Sequence, residues 1–252
     1  MTYLELLKKF GQHSADLMSA VKDLPEMQGE GNKRHLLTSI HQLNLDINSK
    51  FVELNSIKDD LRKIIVFLRR IPYKNFYTEN DISELDYIKY HLEVFLHKVS
   101  TGSDLLKLLV NVLFDLQIEN RKCNIPNLRN KIPTKYDKPF LQLIEAYDNT
   151  FKGIKYFRNK NSHEAKFYDE EHYNFDLYDN LYRQSKKFEL ETDSLRFFMP
   201  ECVLEFRTKE FRKDKIKWIQ DALESYEAYT NKIIENAILV YFHKYKEWLE
   251  QP

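Results

Sequence analysis

The chain has 252 residues, 42% of them hydrophobic and 31% charged, which is the composition range of an ordinary soluble globular protein. Five glycines and seven prolines are too few for the tight turns of an all-β sandwich or barrel, so long helices are predicted instead. The 39 basic and 39 acidic residues cancel, and any attraction for nucleic acid must therefore come from a local patch.

Cysteine usage and hydropathy narrow the class of protein further. Cys123 and Cys202 are far apart and form no CxxC pair, so neither a disulfide framework nor a zinc site is expected. No apolar run has the length of a signal peptide or of a membrane span. We therefore expect a reduced, cytoplasmic protein without a metal or another cofactor.

Two helices are predicted at the N-terminal end. The first covers residues 2–24 and opens with a capping box, in which Thr2 and Glu5 satisfy each other's backbone amides. The second covers residues 33–70 and needs a partner helix along its length, because apolar residues recur every seven positions. A partner from the same chain is favoured, and a second copy of the chain is the alternative. The repeat consists of Ile40, Ile47, Leu54, Leu61 and Leu68, with Leu43, Ile57 and Ile64 at the matching d positions.

Three further helices are predicted. Ser83 with Asp86 starts the third, which runs toward Leu116 and contains Gly102, a sign of either close packing or a break. A basic, proline-containing loop follows over 119–139, and the fourth helix covers 140–157. The stretch 164–208 is aromatic and acidic, with short strands as one option at 194–198 and 203–206, and the last helix covers 213–249. The fold class is thus all-α, a helical bundle with long antiparallel helices and an irregular insertion before the last helix.

A short polar segment after the fourth helix carries the residues best suited to chemistry. It reads Arg158-Asn-Lys-Asn-Ser-His163. Histidine titrates near neutrality and suits general acid or base catalysis, whereas arginine offers planar, permanently charged donors for phosphate. In the alternative interpretation the segment is a helix C-terminus, where Arg158 and Lys160 offset the helix dipole and Asn161 takes a left-handed turn.

This segment resembles the Arg-x4-6-His motif of HEPN domains, with a polar residue, Asn159, directly after the arginine. The resemblance covers about residues 140–167 and implies a single domain over 1–252, composed of a hairpin (1–71) and a motif-bearing bundle (81–252). It also implies a metal-independent ribonuclease that works as a homodimer with a composite cleft, as a toxin with a cognate antitoxin or as a defence protein. Arg158 would stabilise phosphate charge, His163 would transfer protons and Asn159 would orient Arg158.

Three alternatives concern partners. In a non-catalytic HEPN module, the same fold would bind RNA, a nucleotide or a protein without cutting. In a helical scaffold, dimer contacts would run along residues 40–68. The acidic stretch 169–179 could mimic nucleic acid, cover a cleft, bind a partner or simply pack as an aromatic loop.

RNA contacts are predicted, against the alternative of a solvated basic loop, for Arg121, Lys122, Arg129, Lys131, Lys155 and Lys160.

Overall fold

A computed structural model describes residues 2–22, 27, 33–70, 77, 79–164 and 169–250, with the backbone alone for 162–164. Those residues form nine α-helices with described bounds and no β-strand. The all-α fold class is therefore confirmed. The helices are α1 (Tyr3–Lys22), α2 (Ser39–Arg69), α3 (Glu84–Leu113), α4 (Ile125–Arg129), α5 (Gln142–Thr150), α6 (Lys152–Glu164), α7 (Glu170–Lys187), α8 (Asp193–Phe198) and α9 (Glu201–Leu249).

Both predicted helix starts rest on the side chains that the sequence indicated. Thr2 N donates to Glu5 Oε2 over 2.7 Å, and Glu5 N donates to Thr2 Oγ1 over 3.3 Å. At α3, Asp86 N donates to Ser83 Oγ over 3.0 Å, and Ser83 N donates to Asp86 Oδ2 over 2.9 Å. These reciprocal bonds satisfy amides that the first helical turn leaves without partners.

The heptad repeat of α2 is buried within the chain. Its five a positions, Ile40 to Leu68, are at most 4% exposed, and the d positions Ile57 and Ile64 are 3% exposed. Side chains covered by their own chain have no surface left for a second copy. The packing partner of these heptad positions is thus intramolecular, whereas dimer contacts through other residues of 40–68, as in the scaffold alternative, stay a prediction.

The chain divides into two compact units, and α2, α3 and α9 contribute residues to both. Unit 1 comprises residues 1–57, 101–150 and 225–252. Its core is aromatic: Phe10 lies edge-on to Tyr241 with ring centroids 5.2 Å apart, and Tyr226 Oη donates to Leu54 O over 2.8 Å. Burial raises the pKa of Tyr241 to about 12. The hydroxyls of this core therefore stay neutral and act only in hydrogen bonds.

Gly102 marks close packing rather than a break, because α3 continues through it. A Cβ atom there would lie 2.7 Å from Tyr147 Oη and 2.8 Å from Tyr226 Cε2. Both tyrosine rings are fully buried in unit 1, at 0% and 1% exposure. Only glycine lets the backbone of α3 approach them this closely.

Unit 2 comprises residues 58–100 and 151–224 and has its own core. Phe95 and Trp218 pack edge to face with centroids 5.0 Å apart, and His172 Nε2 lies 3.2 Å from Leu85 O. An ion pair of 2.9 Å joins Arg212 to Glu84, and both side chains are about four-fifths buried. The single-domain prediction is not decided by this division and stays a prediction.

The structure corrects the sequence-based interpretation of residues 164–208. The strands predicted at 194–198 and 203–206 are wrong, because these residues are helical in α8 and in the first turns of α9. Leu204, Thr208 and Phe211 are buried at intervals of three to four residues, which is the period of a helix. The irregular insertion is replaced, where described, by helices α7 and α8. The acidic stretch begins α7, and Asp169 caps it by accepting from His172 N over 3.1 Å.

Candidate active site

The motif lies inside a helix rather than after one. The predicted helix over 140–157 is a π-helical turn (Asp137–Leu141) followed by α5 and α6, which are separated at Phe151. Phe151 and Ile154 are buried, at 2% and 5% exposure, so the first turn of α6 is anchored in the core. Asn161 is helical, so the alternative with a left-handed turn at that residue is wrong.

Arg158 is half-buried, and its guanidinium lies in an unusual environment. Its Nη1 donates to Asn159 Oδ1 over 3.1 Å, the kind of contact expected if Asn159 orients the arginine. Its Nε is buried and has no hydrogen-bond partner among the described residues. A buried N–H without an acceptor costs about 1–3 kcal/mol, so the surroundings of Arg158 differ from those of an ordinary surface arginine.

His163 belongs to α6 by its backbone, and its side chain lies outside the described residues. The helix nevertheless fixes the relation between the two motif positions. Arg158 and His163 are five residues apart, which in an α-helix is about 140° around the axis and about 7.5 Å along it. Side chains at such positions leave the helix in diverging directions, so α6 alone does not aim both at one point.

Two lysines accompany the motif on α6. Lys160 Nζ lies 5.3 Å from the centroid of the Tyr156 ring, in a cation–π contact. Lys155 is partly exposed one helical turn before Asn159. Both belong to unit 2 together with Arg158, Asn159 and His163. The structure therefore groups five of the nine predicted site residues on a single helix.

The other four predicted RNA contacts lie in unit 1. The basic loop contains short helical turns, Asn120–Lys122 and α4, rather than extended coil. Three of its cations already have partners: Lys122 pairs with Glu119 (2.9 Å), Arg129 pairs with Asp137 and Glu145, and Lys131 Nζ donates to Leu116 O (2.9 Å). Arg121 is exposed. These residues do not belong to the unit that carries the motif.

A pocket of about 900 Å³ lies in unit 1, and sequence reasoning missed it because its walls come from distant segments. Trp248 and Lys244 line it, and burial lowers the pKa of Lys244. Its carboxylates at Asp46, Glu119 and Glu247 each already lie against an arginine, a lysine or a histidine of the chain. Of the predicted site residues in the described part of the chain, Lys122 alone adjoins this pocket, through its pair with Glu119.

The described residues offer neither a metal site nor a membrane-spanning helix. Across the described parts of 2–250, no group of three or more His, Cys, Asp or Glu residues is placed to hold a metal ion. Over the same residues, no helix has both the length and the apolar character that crossing a bilayer requires.

An all-α chain with an arginine, a following asparagine and a histidine on one helix has the architecture of the HEPN class. Comparison with family models agrees: the model described as HEPN_Cthe2314-like HEPN matches residues 43–233, about three quarters of the chain. The chain belongs to this HEPN family. Neither the curated proteins nor the solved structures gave a significant match.

Proposed function

We propose that this HEPN protein is a metal-independent endoribonuclease with Arg158, Asn159 and His163 in its active site. The observation that carries the proposal is the half-buried guanidinium of Arg158, whose Nε has no acceptor among the described residues. A phosphate oxygen is the acceptor that arginine binds best, by two parallel charge-assisted hydrogen bonds. Among HEPN proteins generally, ribonuclease and nucleotide-binding functions are the common ones.

The chemistry follows from the residue types. The 2′-oxygen of RNA attacks the adjacent phosphorus while a base removes its proton, and the 5′-oxygen leaves as an acid protonates it. One fragment then ends in a 2′,3′-cyclic phosphate, and the other begins with a 5′-hydroxyl. His163 transfers a proton, a contribution of about 10²–10⁴-fold in rate. Arg158 stabilises the phosphoryl oxygens, whose charge is greatest in the transition state.

A second copy of the chain completes this site in our proposal. The reaction needs one proton acceptor and one proton donor, and a single motif supplies one imidazole. The diverging directions of positions 158 and 163 on α6 also favour a complement from another helix. Two motifs facing each other would supply two imidazoles and two guanidinium groups. The proposed active form is therefore a homodimer with a composite cleft.

The wider role and the further RNA contacts are proposals of the same kind. Use as a toxin or in antiviral defence, held in check by an antitoxin, suits a ribonuclease that needs no cofactor. Lys155 and Lys160 on α6 would contact the RNA backbone beside Arg158. Arg121, Lys122, Arg129 and Lys131 of unit 1 would also contact RNA, at the expense of the pairs that three of them make within unit 1. Removing any one of these phosphate-binding side chains would reduce the salt dependence of RNA binding.

The alternative is a HEPN module that binds RNA, a nucleotide or a protein without cutting. The equal numbers of acidic and basic residues favour it, since they give the whole molecule no attraction for RNA. This alternative uses Arg158 as a phosphate ligand but requires nothing of His163.

One experiment separates the two functions. The wild type, Arg158→Ala and His163→Ala are incubated with mixed RNA in EDTA, together with Arg62→Ala and His243→Ala as controls for the loss of a surface arginine or histidine. We expect the wild type and both controls to cut RNA and to leave cyclic phosphates, and both motif variants to lose at least about 100-fold of the rate. Intact RNA in every sample, with binding that only Arg158→Ala weakens, would support the binding module. Cleavage by His163→Ala at the wild-type rate would refute the proposed chemistry.

A further inference from the structure

Four phenylalanines of unit 2 are exposed to an extent that folding of one chain does not explain. Phe188, Phe197, Phe198 and Phe206 are 61%, 83%, 70% and 60% exposed. Single apolar side chains on a surface are ordinary, but a group of large rings within twenty residues is not. We call these four residues the phenylalanine patch. We propose that the patch binds the same patch of a second copy of this chain.

Contacts within unit 2 bring Phe188, Phe197 and Phe198 to one end of α7. Phe188 is the C-cap of α7, and its N–H donates to the chain one turn earlier. Tyr182 Oη donates to Met199 O over 2.6 Å, which places the end of α8 beside the last turns of α7. The rings of Phe197 and Phe198 lie edge to face with centroids 5.3 Å apart. Phe206 follows in the second turn of α9.

Helix α7 extends the apolar surface away from the patch. Tyr173, Leu177 and Leu181 recur every fourth residue and are 62%, 45% and 39% exposed. On an α-helix this spacing forms one stripe, on the side opposite to the buried Phe175 and Tyr182. A helix that packs against one core needs a single apolar face. The second apolar face of α7 therefore indicates a second packing partner.

The summed exposed area of these side chains has the size that a stable interface requires. With about 200 Å² for a fully exposed phenylalanine ring, the four rings together expose about 550 Å². The stripe on α7 adds about 200–300 Å² on the same scale. The largest apolar patch of a typical monomer is about 300–600 Å², whereas a standard protein interface buries about 800 Å² on each partner.

The charges around the patch favour a second copy over RNA as the partner. Residues 186–201 contain four acidic and three basic side chains, namely Glu189, Glu191, Asp193 and Glu201 against Lys186, Lys187 and Arg196. A phosphate backbone gains nothing from such a rim, because affinity for RNA comes from positive charge. Two nearly neutral copies do not repel each other, and a two-fold interface needs a surface that is complementary to itself.

This interface deepens the proposed function and rests on it in one respect only, namely that the composite cleft needs two copies. The patch and the Arg158–His163 motif belong to the same unit. A dimer formed through the patch would thus join the two units that carry the motifs. The apolar area itself is independent of any activity, so the oligomeric state and the cleavage of RNA are tested separately.

The test is sedimentation velocity on the full chain at concentrations from about 1 to 50 μM. We expect the wild type to have twice the 30.5 kDa mass of one chain. The double variant Phe197→Asp, Phe198→Asp should sediment as a single chain, with a dimer Kd raised at least about 100-fold. The matched control is Val52→Asp: Val52 is 68% exposed on α2 among polar neighbours such as Ser49 and Ser56, so this variant should remain a dimer.

The outcomes distinguish the interface from the enzyme. A wild type that stays a single chain, or a double variant that stays dimeric, overturns the interface. If the double variant loses its helical circular dichroism, Phe206→Asp takes its place and must give the same result. Binding of RNA by a monomeric wild type, lost in the double variant, would assign the patch to RNA and also overturn the interface. A dimer that cuts no RNA refutes the proposed function alone. A monomeric wild type that cuts RNA refutes the interface and the composite cleft, and leaves the chemistry of Arg158 and His163 in place.

Discussion

Replacing Gly102 by alanine should destabilise the protein, although alanine is the better helix former. The new Cβ would lie 2.7 Å from Tyr147 Oη and 2.8 Å from Tyr226 Cε2, where an ordinary contact is about 3.5–4.0 Å. Neither ring can retreat freely, because both are buried and Tyr226 is tied to Leu54 O by its hydroxyl. Two rings overlap at once, so the cost is about 3 kcal/mol, and about 1 kcal/mol is regained from helix propensity. The net loss is about 2 kcal/mol, or about 4–8 °C in Tm for a chain of this length.

Thermal unfolding followed by circular dichroism measures this loss against a matched control. Gly11 lies in the middle of α1, and a Cβ atom added to it would meet nothing within 4 Å. Gly11→Ala should therefore raise Tm by about 2–4 °C through helix propensity alone. Adding Tyr147→Phe to Gly102→Ala removes the closer of the two overlaps and should restore part of the stability. A Gly102→Ala protein that melts at or above the wild-type temperature would refute the packing argument.

Three other predictions concern pH, capping and the site. Burial lowers the pKa of His91 below its usual 6.5, so the unfolded chain takes up a proton at a higher pH than the folded chain and gains stability from it. The wild type should therefore lose Tm between pH 7.5 and 5.5, and His91→Phe should lose less. An equal loss in both proteins would contradict this. Ser83→Ala removes the acceptor for Asp86 N at the start of α3 and should cost about 1 kcal/mol in urea unfolding; an unchanged midpoint would count against the cap. Asn159→Ala removes the hydrogen bond to Arg158 and should slow RNA cleavage about tenfold. Its Tm should stay that of the wild type, because Asn159 is exposed. Cleavage at the wild-type rate would exclude an orienting role for Asn159.

Local patterns in the sequence were sufficient for the existence of the long helices and for the starts of α1 and α3, whereas α9 begins at Glu201 rather than at the predicted residue 213. The seven-residue repeat of Ile40 to Leu68 predicts a buried face because helical periodicity depends only on neighbours along the chain. The capping boxes at Thr2 and Ser83 are equally local, since both partners lie within one turn. The motif from Arg158 to His163 could be found for the same reason, and its family resemblance agrees with the match over residues 43–233.

The remaining features depend on contacts between residues that are distant in sequence. Gly102 was compatible with a break or with close packing, and the tyrosines that decide between them lie 45 and more residues away along the chain. The apolar residues at 194–198 and 203–206 suited short strands, but the buried positions of α9 and the contact of Tyr182 with Met199 hold them in helices. Short apolar runs have no period of their own, so tertiary packing decides their structure.

The sequence by itself determined that the chain is all-α and where α1 and α3 begin, and it singled out Arg158 and His163 as residues whose chemistry suits RNA cleavage, because residue type and spacing are properties of short segments. Only the tertiary structure decided that the motif lies within α6, that Arg158 Nε is buried without an acceptor among the described residues, and that the phenylalanine patch is exposed. Burial and hydrogen-bond partners depend on which distant segments pack together. That packing is a property of the whole folded chain.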